Sequence, residues 1–279
     1  MFRTGQLHIT NGLPTEKIEL YRKENPDLIQ IHPYLGTYFY IFNTKLTPLD
    51  DPRIRRALVM SIDRDAIVKN VTKGGQIPAY NLTPPDPLGY TPRAKITYDI
   101  DTARKLLAEA GYPNGEGFPK LELLFNTLES HRQIAVAIQQ MWKQALNIDI
   151  TLHNQEWKVY LDSQRTMNYQ ISRASWIGDY IDPNTFLDMY VTDGGNNRTG
   201  WSNPEYDRLI NQAANTSNQE ERYELFQQAE EILMNEVPII PIYTYTRVFL
   251  KSPHIKGWSP NILDHHPYKY VSLEPESAD

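Results

Sequence analysis

LELLFNTLESHRQIAVAIQQMWKQALNIDITL, residues 121–152, decides the fold class. Residues 121–126 form an apolar run of strand length. Over residues 131–147 the period changes, and Ile134, Ile138, Met141, Trp142 and Leu146 fall in helical register. Residues 148–152 return to a strand. Strand, long amphipathic helix and strand, in that order, predict an α/β arrangement with parallel strands, because a parallel pair needs a crossover and a helix supplies it.

The same alternation continues in both directions. Toward the N-terminus the sequence predicts a short strand at 7–10 and a helix at 14–24. Residues 28–43 are rich in aromatic and β-branched residues, and Pro33 and Gly36 divide them into two strands joined at a bend, a place for a hinge or crossover between lobes. Asp51 and Pro52 open the next helix: the carboxylate can accept from orphan amides, and proline has the φ that a first helical position wants. A second helix follows over 63–71, stopped by Gly74-Gly75, and Asp101 caps the helix that carries ARKLLAEAGY at 103–112. Toward the C-terminus come a helix at 158–165, a strand at 169–175 and a short helix at 184–190. Helices at 203–214 and 219–235 and a long strand at 239–250 complete the pattern.

Composition narrows the function. Among 279 residues there are 34 acidic and 28 basic ones, a formal net charge of −6, so no global basic field draws in nucleic acid. The absence of cysteine removes disulfides, thiolate metal sites and cysteine nucleophiles together. No window approaches the roughly 20 apolar residues of a spanning helix, and residues 1–16 lack a charged segment followed by an apolar run. The chain is therefore expected either to be cytoplasmic or to start downstream of a signal. Tyrosine is abundant, at 18 residues, as suits surfaces with one apolar and one wet side.

The candidate chemistry sits in EWKVYLDSQRTMNYQISRASWIGDY, residues 156–180. Trp157 and Trp176 supply rigid apolar plates, while Arg165, Arg173 and Asp179 supply sparse charges that can orient a ligand by its ends. Plain core packing is the alternative for both tryptophans. Asp179 follows a strand, where an α/β sheet opens on its ligand crevice. It can hold a cation such as a peptide ammonium, or serve as an ordinary loop or cap acid. Arg173 lies on a strand that should be buried, so it should meet a carboxylate, internal or from a ligand. Arg165 closes a helix, where solvation and the helix dipole explain it equally well. His131 opens one. No phosphate-cradling glycine loop, Gly-x-Gly-x-x-Gly, His-Glu-x-x-His or Gly-x-Ser-x-Gly elbow is present. Asp264, His265 and His266 read as a solvated loop, since neighbouring side chains rarely converge on one metal ion. Asp179, Asp182 and Asp188 are candidates for the paired acids of glycoside hydrolysis, but helix-start and loop roles explain Asp182 as well and nothing fixes a partner.

Taken in order, several blocks resemble the oligopeptide-binding proteins, the extracytoplasmic solute receptors of bacterial peptide ABC importers. They are HPYLGTYFYIFNT (32–44), DPRIRRALVMSIDRDAIV (51–68), IPAYNLTPP (77–85), ARKLLAEAGY (103–112), NQEWKVYLD (154–162), WIGDYIDPNTFL (176–187) and VPIIPIYTY (237–245). The resemblance runs over nearly the whole chain. It implies a periplasmic-binding-protein-like α/β fold of type II, with a mixed sheet flanked by helices, that closes on extended peptides and needs no cofactor or metal. Residues 38–245 would be the peptide-binding lobe, residues 1–37 a first-lobe remnant with the crossover, and residues 246–279 a return segment of the first lobe. By the same resemblance Asp179, in the Trp-x-x-Asp-Tyr motif, meets the peptide ammonium, Trp157 and Trp176 border the side-chain pockets, and His131 and Arg173 meet peptide carboxylates. An arginine often found just before Arg165 is replaced by Gln164, and Arg165 would substitute from one position on.

Such receptors carry a signal sequence and a fuller first lobe, so this chain would be a truncated form with weak affinity for oligopeptides. Its partner in full-length form would be an ABC permease of the inner membrane, which implies a periplasmic or extracytoplasmic location. Exposed strand edges such as residues 37–42 offer self-association. Two other readings stay open: a receptor for another solute such as an oligosaccharide, and a glycosidase-like enzyme.

Overall fold

The computed structural model describes residues 1–275. Its strands are β1 (Ile29–Phe42), β2 (Ile77–Pro78), β3 (Leu121–Asn126), β4 (Ile150–Gln155), β5 (Ile171–Ile177), β6 (Ile239–Leu250), β7 (Ile255–Lys256) and β8 (Ser272–Leu273). The helices are α1 (Thr15–Glu24), α2 (Pro52–Met60), α3 (Arg64–Ala66), α4 (Ile100–Glu109), α5 (Glu129–Leu146), α6 (Trp157–Arg165), α7 (Asn184–Leu187), α8 (Pro204–Ala214) and α9 (Gln219–Glu236). The first six strands form one sheet in the order β2-β6-β1-β5-β3-β4, and β7 pairs with β8.

The sheet is mixed. β3 pairs in parallel with β4, Leu123 opposite Leu152, and with β5, Leu123 opposite Ile171. The crossovers are α5 and α6, as the strand and helix periods of 121–152 require. β1 runs antiparallel to both β5 and β6. Helix α5 buries Ile134, Ile138, Trp142 and Leu146, and the Trp142 indole donates to Leu58 O at 2.8 Å. Asn147 ends it in the left-handed region, a conformation asparagine tolerates.

Several sequence expectations need correction. Residues 28–43 make one continuous strand, and the break foreseen at Pro33 survives as a register shift between Pro33 and Thr37 against β6. Proline has no amide to donate, so the ladder slips there without ending. Residues 7–10 contribute only the single bridge Ile9 to Lys251. The cap of α4 is Asp99, which accepts from Thr102 N at 3.0 Å, while Asp101 lies in the first turn; only Asp99 has the extended backbone of a cap. α3 passes at once into a π-helical turn, Ile67–Thr72, and Lys73 closes it at φ 56° ahead of the two glycines. Residues 37–42 are not an exposed edge. They are buried and paired on both sides, by β5 and β6, which removes them as a surface for self-association.

Segments from both terminal regions of the described chain bond to β1 and to the end of β6. Thr10 N donates to Leu250 O at 2.9 Å, Ser252 N to His8 O at 2.8 Å, and Leu35 N to Ile262 O at 2.8 Å.

Candidate functional site

β5 turns Arg173 onto a face of the sheet where tyrosines from β1 and β6 collect. Arg173 sits opposite Tyr40, its guanidinium carbon lies 4.7 Å from the Tyr38 ring centre, and Nη2 donates to Tyr245 Oη at 3.0 Å. Tyr38 stacks on Tyr243 with centroids 4.8 Å apart, and Tyr245 meets Tyr34, Tyr38 and Tyr243 edge-on. Although Arg173 is only 7 % exposed, no carboxylate among the described residues pairs with it, and its buried Nε has no partner. Burial of the charge is thus offset by ring faces and one hydroxyl rather than by the internal acid that burial alone suggests.

His131, in the first turn of α5, joins this group. Its Nδ1 lies 3.3 Å from Tyr38 Oη, and the residue is 7 % exposed. Burial, and then the charge of Arg173, push its pKa down to about 3, so the ring is neutral at ordinary pH. A neutral imidazole can offer a hydrogen bond to a carboxylate but no charge.

α6 holds the other side of Arg173. Gln164 Nε2 donates to Arg173 O at 2.8 Å, Tyr160 Oη at 2.9 Å and Ser172 Oγ at 3.0 Å, and Tyr160 Oη also donates to Arg173 O. Gln164 is therefore committed to anchoring β5. Arg165, which the resemblance puts forward in its place, is exposed and pairs with Asp162 at 2.6 Å, one turn away on the same helix.

Trp157 begins α6, half exposed at 50 %, with its ring stacked on Tyr160 at 5.6 Å. Trp176 is half-buried and donates its indole N–H to Thr185 Oγ1 at 3.3 Å, the same oxygen that accepts Asp179 N at 3.2 Å. Thr185 of α7 thus fixes both residues, leaving the Asp179 carboxylate exposed just beyond the end of β5. Of its acidic neighbours, Asp182 is held by Arg222 from α9 in a two-pronged ion pair. Asp188 has its pKa raised by burial and, after that, by the negative charge of Asp179. With Asp182 engaged, the three acids do not form a free catalytic group. The loop at 264–266 is likewise tied up: His266 stacks on Trp258 at 3.8 Å and meets Asp264 at 3.0 Å, and Asp264 also takes Arg247 at 2.8 Å.

The structure thus brings Arg173 and His131 together, and separately Trp176 and Asp179. Tyr38, Tyr245 and Thr185 are the members sequence reasoning missed. The alternation in VPIIPIYTY, which puts Tyr243 and Tyr245 on one face of a strand, was the available signal.

The mixed, helix-flanked sheet is an α/β fold of the periplasmic-binding-protein-like type II class. The sequence profile described as bacterial extracellular solute-binding proteins, family 5 Middle, matches residues 1–198, and the chain belongs to that family. It is 41 % identical over 253 residues to the oligopeptide-binding protein OppA of Bacillus subtilis (strain 168), covering 88 % of this chain and 46 % of that one. The structure of the Escherichia coli murein tripeptide binding protein MppA superposes with a TM-score of 0.92 at 37 % identity, over 99 % of this chain and 55 % of that one. Haemophilus influenzae OppA in complex with RPPGFSPFR gives a TM-score of 0.89 at 35 % identity, over 98 % of this chain and 55 % of that one. The chain spans about half the length of the relatives it matches.

Proposed function

We propose that this chain forms the peptide-binding lobe of a receptor for a peptide ABC importer, working outside the cytoplasm and delivering oligopeptides to a membrane permease. Residues 38–245 are that lobe, and residues 1–37 and 246–279 belong to the first lobe, of which 276–279 lie outside the described residues; both boundaries fall within paired strands, β1 and β6. Asp179 takes the peptide ammonium. Arg173 takes a carboxylate, with His131 as a neutral hydrogen-bond partner, and Trp157 and Trp176 border the side chains. The observation that carries this reading is Arg173, a buried guanidinium with an unpartnered Nε and no acid paired with it among the described residues. A buried unpaired charge is costly, and a ligand carboxylate relieves that cost. The relatives named above bear peptide-binding names or a bound peptide.

Because the chain spans about half of its relatives, it supplies one side of the cleft, and its affinity when alone is weak. Titration calorimetry with tri- to pentapeptides tests this, and a submicromolar affinity would overturn it. The amine contact has its own test. Asp179→Ala and N-acetylation of the peptide should each weaken binding by about tenfold, the scale of one charge-assisted hydrogen bond, and should not add. Unchanged affinity in Asp179→Ala would favour a ligand without a free amine, such as an oligosaccharide.

A further inference from the structure

On the opposite face of β5 from Arg173, a small cavity opens beside Trp176. It measures ≈ 130 Å³, and its apolar lining includes Phe39, Ile41, Leu161, Trp176 and Met189. Ligand pockets usually run from about 300 Å³ upward, so this space suits one side chain rather than a whole ligand. Arg198 is the one charged residue among those lining it. It is half-buried, and although its backbone carbonyl accepts from Tyr169 Oη, its guanidinium makes no hydrogen bond, ion pair or ring contact among the described residues. The other long polar side chain, Gln164, has its amide nitrogen committed to the anchor of β5. A small slot with apolar walls, the neutral polar residues Ser175 and Asn196 and one arginine whose guanidinium is unspent discriminates by charge: a carboxylate on a short apolar stem fits, an ammonium is repelled, and a neutral amide leaves the cation unpaired.

We infer that Arg198 makes this cavity a subsite for an acidic side chain, so that the ligands favoured by this chain are peptides carrying a glutamate or aspartate in the residue seated against Trp176. The inference rests on the peptide-binding reading and adds a specificity to it. The preference would run against the overall field, since the chain carries a formal net charge of −6.

The test is nitrogen-15 NMR of the whole chain, following the Trp176 indole, assigned through Trp176→Phe. The titrants are alanine tripeptides with glutamate or glutamine at each position in turn. At one position the glutamate peptide should bind about tenfold more tightly than its glutamine twin, the scale of one charged hydrogen bond. Arg198→Gln should bring that ratio to near one without weakening the glutamine peptide, and Arg198→Lys should keep part of it. A ratio near one at every position in the wild type, or a ratio unchanged by Arg198→Gln, overturns the inference while leaving peptide binding intact. Failure of every peptide to perturb the Trp176 indole at millimolar concentration removes the peptide-binding reading and this inference with it.

Discussion

At the scale of the residue, the arrangement turns on two groups whose charge burial opposes alike, and only one of them keeps its charge. Arg173 stays charged because ring faces and the Tyr245 hydroxyl surround it. His131 stays neutral because burial, and secondarily Arg173, oppose its protonation. The pair therefore holds one positive charge, not two, which leaves a ligand carboxylate with a cation on one side and a neutral donor on the other. The coupling is measurable. In wild type the His131 ring should remain unprotonated to near pH 3, and in Arg173→Gln its pKa should rise while staying well below 6.5, since burial, the larger cause, remains. NMR titration of the ring protons reads this directly. Ordinary titration near 6.5 in wild type would mean that His131 is not buried in the way described, and no change in Arg173→Gln would remove the coupling.

At the scale of the element, the DPRIRRAL block that carries much of the family likeness proves to be a brace between helices. Arg55 on α2 donates through Nε to Glu236 O and Val237 O, each at 3.1 Å, and through Nη1 to Leu49 O at 2.8 Å and Asp50 O at 3.1 Å. It thereby caps the open carbonyls at the end of α9, where Val237 holds a left-handed φ of 51°. Arg55→Ala should lower stability by about 3 kcal/mol, because several buried carbonyls lose their donor at once. Arg55→Lys should recover little of that, as one ammonium cannot serve carbonyls spread over two chain segments. Urea unfolding midpoints check both, and a fully stable lysine variant would sink the account. The periods of 121–152 and the Asp51-Pro52 start are local signals, and they translate directly into β3, α5, β4 and α2. Arg55 as a brace, Thr185 as a clasp for Trp176 and Asp179, and the placing of residues 37–42 in the sheet centre depend on partners far along the chain, which no local period encodes. Asp179 at the end of a strand and Arg173 buried within it were legible as placements, because a charge after or within an apolar strand is out of place. Gln164 and Arg165 were not, since adjacent residues on a helix point in different directions, and only packing reveals which one faces β5.

At the scale of the whole molecule, two buried titratable groups give the stability a distinctive dependence on pH. Glu230 of α9 is 0 % exposed and clamps the excursion between β2 and α4: it accepts from Leu82 N at 3.1 Å, Thr83 N at 2.8 Å and Tyr90 Oη at 2.9 Å. Burial raises its pKa from 4.5 to about 7 despite these hydrogen bonds. The folded chain thus keeps a proton that the unfolded chain releases above pH 4.5, and stability falls as pH rises from 4.5 to about 7. His131 acts in the reverse sense. Its pKa drops from 6.5 to about 3 on folding, so the unfolded chain takes up a proton first and stability falls as pH drops from 6.5 to about 3. Each slope is about 1.4 kcal/mol per pH unit where fully developed. Between pH 4.5 and 6.5 they oppose one another, so these two groups together leave stability nearly flat there. Glu230→Gln keeps an acceptor for the two amides and removes the charge, so it should be more stable than wild type at pH 8 and indistinguishable from it at pH 4. Its midpoint should also decline steadily as pH falls from 6.5, since the His131 slope is then unopposed. Urea unfolding of the two proteins from pH 4 to 8 decides the matter: a difference that stays constant with pH would mean that the substitution alters packing rather than a proton, and the clamp would then have no part in the pH response.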